Sequence, residues 1–327
     1  MNLSKECLVM REWFGIEPLC RELCGKYLSH CKGGCLIAHT LLSLIEYNTI
    51  ERKVVGPISS LAIRSLLRRV NNQFNYTKND VKYLLSNIMK LIILVHDIGK
   101  LSRRYCHNKE FRHEIISFIY GSIIIEKWAS RHNTRLRELY KKLNLGAQAS
   151  IAILLHHESL YWRILEESIS IDISVIITRR ALRMLSSKYA YAEDEDVELF
   201  INAIIKNLAG YGLIGTDLIS ILRELPLINK EIIDNTGKIY DLLSILKGNI
   251  FSYKLVLPMY YILFIVDNRA ASARDLYWRK SFRKALKFTR NYNEFINSLS
   301  KLTKEHTLHV SISILPSMTR TFEDFDG

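Results

Sequence analysis

Apolar residues recur at three- and four-residue spacing along most of this chain, and little interrupts them: 327 residues include 14 Gly and 5 Pro. Turn formers this sparse exclude a loop-rich all-β domain, a collagen-like chain and a small disulfide-stapled scaffold. The spacing is that of helices with one buried face, so the sequence predicts an all-α, mainly helical fold. One helix is expected over 35–47 after Gly33 and Gly34, and Pro57 is expected to open another. Thr77 is a good N-cap, with Asp80 three residues on, for a long helix through Val81, Leu84, Leu85, Ile88, Leu91 and Ile92. That helix is expected to reach His96 and Asp97 and to stop near Gly99. Further helices are predicted over 110–130, 135–143, 146–157, 179–188, 195–208, 238–248, 257–275, 278–289 and 292–304. Residues 169–177 and 308–314 alternate apolar and polar instead, so at most a small two-stranded sheet is expected. Residues 1–306 read as a single domain, and 307–327 as a strand and a mobile tail.

Lys and Arg number 46 against 33 Asp and Glu, a net charge of +13. Such an excess calls for an anionic partner, either nucleic acid or an acidic membrane face. Residues 1–12 have no apolar signal-peptide core, and the longest apolar run, 255–266, is broken by Pro258 and closed by Asp267. It is too short to span a bilayer, so a cytoplasmic protein is expected. Four of the six cysteines, Cys20, Cys24, Cys31 and Cys35, form two C-x3-C pairs. They are open to three readings: buried thiols, a zinc knot, or disulfides of the kind hyperthermophiles keep inside cells.

Several histidines are held among apolar neighbours: His39, His96 in His-Asp-Ile-Gly-Lys, His113 in Arg-His-Glu-Ile-Ile-Ser, and the pair His156 and His157. Asp97 and Asp267 sit in similar surroundings. A buried imidazole must satisfy both ring nitrogens or bear a desolvation cost. Taken singly, each histidine reads as a satisfied core or surface residue. Taken together with two carboxylates, they are what a divalent cation binds. Adjacent helical side chains diverge by about 100°, so His96 and Asp97 reach one ion only where a helix end points at it.

The order His39, His96-Asp97, Asp267 resembles the HD superfamily of metal-dependent phosphohydrolases. His113, His156 and His157 are similar to the extra histidines of its two-metal members. Arg112-His113-Glu114 followed by a His-His pair looks most like the HD nucleases of type I CRISPR interference. The segment 266–272 is similar to that family's final Asp motif. The resemblance covers roughly 35–160 and 255–275. It departs in the long spacing between His157 and Asp267, which implies an inserted segment at about 160–250. Asn268 also stands between Asp267 and Arg269, so Asp275 is a rival ligand.

The resemblance implies an HD-domain helical bundle with two divalent metal ions bridged by Asp97. His39, His96 and Asp267 would hold one ion, and His113, His156 and His157 the other. Such a pair hydrolyses phosphodiesters without a side-chain nucleophile. Nitrogen-rich ligation suits Mn, Ni, Co or Fe better than a Mg-only site. Lys100 either binds the scissile phosphate as a point charge or is a solvated helix-end cation. Ser117 lies on the same helix side as His113, where it can support the ligands.

Residues 269–290 carry Arg269, Arg274, Arg279, Lys280, Arg283, Lys284, Lys287 and Arg290 against one acid, Asp275. Tyr277, Trp278, Phe282 and Phe288 are interleaved. Phosphate contacts with stacking faces suit single-stranded DNA; the other reading is an amphipathic helix with solvated charges. Further basic groups are Arg103, Arg104, Lys109, Arg112, Arg131, Arg135, Arg137, Lys141 and Lys142, while the acidic run 193–196 is expected away from this track. No P-loop motif occurs. The resemblance therefore implies a stand-alone nuclease working with a separate helicase subunit and a crRNA-guided surveillance complex in antiviral defence, with no membrane. Two alternatives are an HD phosphohydrolase acting on a small nucleotide and an inactive HD scaffold that binds nucleic acid.

Overall fold

A computed structural model describes residues 26–31, 34–67, 76–107, 112–156, 191–234 and 254–276, together with Cys7. These residues are all-α: α1 (Leu36–Leu67), α2 (Lys78–Val95), a 3-10 turn (Ile98–Leu101), α3 (His113–Ser130), α4 (Thr134–Lys142), α5 (Leu145–Leu154), α6 (Asp194–Tyr211), α7 (Thr216–Leu222), α8 (Leu225–Asp234) and α9 (Val256–Leu276). No strand occurs among them. The alternating segments at 169–177 and 308–314, and the helices expected at 179–188, 238–248, 278–289 and 292–304, lie outside the described residues, as does the tail. No helix among the described residues is long and apolar enough to cross a membrane.

The start of α2 follows from its sequence. Thr77 Oγ1 accepts the Asp80 amide at 3.1 Å, and Asp80 accepts the Thr77 amide at 2.7 Å, a reciprocal capping box. The face carrying Val81, Leu84, Leu85, Ile88, Leu91 and Ile92 is buried, as its spacing predicts. The helix ends at Val95, with His96 as C-cap.

Pro57 does not open a new helix. It lies inside α1, which runs unbroken through it. A mid-helix proline costs about 3 kcal/mol, because it removes an amide and crowds the preceding turn. Here Tyr47, Ile50 and Val54 are buried on one side of it, and Ile58, Ala62 and Leu66 on the other, which holds both halves to one core. Gly56 precedes it and offers no Cβ to the proline ring. The carbonyl left without its amide belongs to Lys53, an exposed residue.

Helix α1 packs on α2 and α9, α3 packs on α5 and α2, and α9 also packs on α5. Helices α7 and α8, which the sequence pattern did not pick out, lie against α3, while α6 packs on α1 and α8. Tyr120 OH donates to Asn229 Oδ1, Trp128 Nε1 donates to Asp217 Oδ2 at 3.4 Å, and Lys127 pairs with Glu231 at 3.2 Å. The acidic run 193–196 opens α6, where negative charge offsets the helix dipole. Two of its members are neutralised: Glu193 pairs with Arg103 at 3.1 Å, and Asp196 with Lys26 at 2.6 Å.

Candidate metal centre

Helix ends converge on one buried point. His39 sits in the first turn of α1, His96 caps α2, His113 opens α3, and His156 follows α5. Asp97 lies between His96 and the 3-10 turn, and Asp267 lies within α9. His39, His96, Asp97, His113 and His156 are all buried. His39, His96, Asp97 and Asp267 form one group whose donor atoms lie within 4.8 Å of one another, and Asp97, His113 and His156 form a second.

Asp97 divides its two oxygens between the groups. Oδ2 is 3.4 Å from His39 Nε2 and 3.5 Å from His96 Nε2. Oδ1 is 3.1 Å from His113 Nε2 and 3.5 Å from His156 Nε2. Asp267 Oδ1 lies 2.7 Å from His39 Nε2 and 3.3 Å from His96 Nε2. It is therefore Asp267 that reaches the histidines. The side chain of Asp275 lies outside the described residues, as does His157.

The donor set suits a divalent cation. His96 Nδ1 donates to the Ile93 carbonyl at 2.8 Å, and His156 Nδ1 to the Ile153 carbonyl at 2.5 Å. Each bond places a proton on Nδ1 and leaves Nε2 facing the carboxylates, the nitrogen that a metal-ligating imidazole offers once it carries no proton. Lone pairs facing carboxylates repel unless a proton or a cation stands between them. Burial penalises a protonated ring, while a divalent ion satisfies several donors at once.

The electrostatics describe the same competition. Burial alone would raise the Asp97 pKa, but Lys100 and His96 beside it hold it well below the usual carboxylate range. Burial would also raise Asp267, but hydrogen bonds with His39 and His96 pull it well below that range. Burial would lower His96, yet the charge of Asp97 and the bond to Asp267 hold it above the ordinary value. At His113 burial wins, and the pKa falls despite its bond to Asp97.

Lys100 is not a solvated helix-end cation. Its side chain is 8% exposed, and its Nζ lies 2.6 Å from Asp97 Oδ2 and 2.9 Å from the Ser29 carbonyl. Ser117, buried in α3, accepts the Gly99 amide at 3.0 Å. Glu114, to which the sequence reading gave no role, is buried with Oε2 3.4 Å from His113 Nδ1. Its place directly after His113 was the available signal. Tyr105, also unassigned from sequence, sets its ring 5.4 Å from that of His113.

Of the expected DNA track, Arg269 is described, and it is not a free cation: its Nε lies 2.5 Å from Glu46 Oε2. The Arg274 side chain and the whole of Trp278, Arg279, Lys280, Arg283, Lys284 and Lys287 lie outside the described residues. The cysteines depart from the buried-thiol reading. Cys31 is bonded to Cys106, 75 residues away, with Cα atoms 5.1 Å apart, and Cys35 is also disulfide-bonded. Cys20 and Cys24 lie outside the described residues.

No family model and no curated protein matches this chain. Among solved structures it is similar to the CRISPR-associated Cas3 HD domain protein from Methanocaldococcus jannaschii, at 21% identity over 71% of this chain and 98% of that one, with a TM-score of 0.36.

Proposed function

We propose that this protein is a metal-dependent phosphodiester hydrolase of the HD type, a nuclease that cuts single-stranded DNA in CRISPR interference. The observation that carries the reading is the sharing of Asp97: one buried carboxylate offers an oxygen to each of two histidine groups. Two divalent ions bound there would supply a polarised phosphate and an activated water. His39, His96 and Asp267 would hold one ion, and His113, His156 and His157 the other, with Asp97 between them. Backbone carbonyls fix the rings of His96 and His156, and Glu114 orients His113. Lys100 would exchange Asp97 for the scissile phosphate when substrate arrives. The +13 charge and the basic-aromatic run 269–290 support a polymeric anion as substrate. A cytoplasmic setting, with a separate helicase subunit and a crRNA-guided surveillance complex as partners, belongs to the same reading.

The test is a cleavage assay on single-stranded DNA with Mn, run beside metal analysis of wild type and Asp97→Ala. Mn-dependent cutting that EDTA abolishes, lost with Asp97→Ala while helical content stays, is the expected result. Hydrolysis of nucleoside triphosphates with DNA left intact would replace the nuclease with a small-nucleotide phosphohydrolase. Undiminished cutting by Asp97→Ala would sink the shared-carboxylate site.

A further inference from the structure

Residues 26–31 form a strap beside Lys100, the lysine that pairs with Asp97. At one end the Tyr27 carbonyl accepts the Leu36 amide at 2.9 Å, and its hydroxyl donates to Asp196 at 2.9 Å. At the other end Cys31 is bonded to Cys106. Between them the Ser29 carbonyl receives two donors, Lys100 Nζ at 2.9 Å and Tyr105 OH at 3.2 Å. The strap therefore gives Lys100 Nζ a second partner besides Asp97. The ammonium in turn sits on Asp97 Oδ2, the oxygen that faces His39 and His96. A cation held there repels a second one brought to the same oxygen. Both cysteines of the bond are exposed, while Ser29 is buried and Lys100 nearly so. Cys106 has φ 69, a left-handed conformation that an L side chain adopts at a cost, so the turn is held there against its preference.

We propose that the Cys31–Cys106 disulfide locks Lys100 onto Asp97, and that its reduction releases the lysine and opens Asp97 to a divalent cation. The reductant is a dithiol. It gives two electrons and two protons, the S–S bond breaks to two thiols, and the reductant closes its own disulfide. The bond is thus a redox control on metal loading. Its metal-loading half rests on the reading of the site as a metal centre; the locking of Lys100 does not.

Two measurements on the full chain separate those halves. The first is acylation of Lys100 by acetic anhydride, followed by peptide mass spectrometry. It is run on the oxidised protein, on protein reduced with a dithiol and desalted anaerobically, and on the Cys31→Ser/Cys106→Ser variant. Reduction or substitution is expected to speed acylation of Lys100 about tenfold, the scale of ordinary coupling between linked equilibria. The second is calorimetric titration with Mn, in which reduced protein should bind about tenfold tighter than oxidised. Should the double variant fail to fold by circular dichroism, reduced wild type decides by itself. Equal acylation rates in the two redox states would overturn the inference, as would alkylation of Cys31 and Cys106 without prior reduction. If Lys100 is released but neither form binds Mn, the lock stands and the proposed function falls. If Mn binds equally in both forms while Lys100 is released, control of metal loading is lost.

Discussion

The Ser117 hydroxyl accepts the Gly99 amide at 3.0 Å, and both groups are buried. This bond joins the 3-10 turn that follows Asp97 to the helix that begins at His113. It therefore sets the distance between a shared carboxylate and a histidine facing it. Ser117→Ala would leave a buried amide without its acceptor, a loss of about 1–3 kcal/mol. Groups that orient metal ligands typically govern affinity by about 10–100-fold, and Mn affinity should fall within that range. Chemical denaturation and calorimetric titration of the variant check the two figures; unchanged Mn affinity would show that the turn holds its place without Ser117.

Gly99 itself is required by contact rather than by backbone torsion. A Cβ built there would lie 2.1 Å from the His113 carbonyl oxygen, and that atom is backbone and cannot swing aside. Gly99→Ala must therefore push the turn and α3 apart. Overpacking of this kind costs about 1–3 kcal/mol, and it should move Asp97 away from His113. The expected outcome is lower stability in urea and Mn affinity that falls further than with Ser117→Ala. Stability equal to wild type would contradict the close approach.

Pro57 gives a prediction of opposite sign. Replacing it with Ala restores the amide that the Lys53 carbonyl lacks and relieves the crowded turn in α1. Some of that gain is offset, because proline also restricts the unfolded chain. Pro57→Ala should therefore stabilise the protein by about 1–2 kcal/mol, read as a rise in the urea midpoint at constant slope. A drop in the midpoint would mean that the interruption serves the packing of α1.

How much of this was legible from sequence depends on how far the deciding contact reaches. The start of α2 was legible because Thr77 and Asp80 cap it from within three residues. The helical course of α3 was legible from the spacing of its apolar residues. The unbroken passage of α1 through Pro57 was not, because local preference there is outweighed by the packing of α1 on α2 and α9, with buried residues on both sides of the proline. The burial of Lys100 was equally hidden: its second partner is the carbonyl of Ser29, 71 residues earlier, and no side-chain pattern announces a backbone acceptor. Cys31 was read beside its sequence neighbours, whereas its partner is 75 residues away. Asp267 and His39 meet across 228 residues. Only the family resemblance paired them in advance.

The division of Asp97 between two groups predicts an uneven loss of metal. In the proposed two-ion site, His39→Ala removes a donor from one group and His113→Ala from the other, so each should lower bound Mn from two equivalents towards one. Asp97→Asn keeps the shape but removes the charge facing both groups, and should lower it further than either. Metal analysis of the three purified variants reads this directly. Equal content in all three would show that Asp97 serves one ion.

The pairing of Arg269 with Glu46 separates two kinds of basic residue in the expected DNA track. An arginine already neutralised inside the protein releases no counterion when DNA binds, so its removal should not change the salt dependence of binding. Arg269→Ala is therefore expected to leave the slope of log affinity against log salt as in wild type, while costing some stability through the lost link between α9 and α1. Arg283→Glu with Lys284→Glu should behave differently if those side chains meet phosphates, lowering the slope by about 0.7 for each lost single-strand contact. Fluorescence anisotropy on a labelled single strand across a salt series measures both. A shallower slope with Arg269→Ala would show that the arginine leaves Glu46 to bind DNA, and an unchanged slope with the double variant would remove residues 283 and 284 from the track.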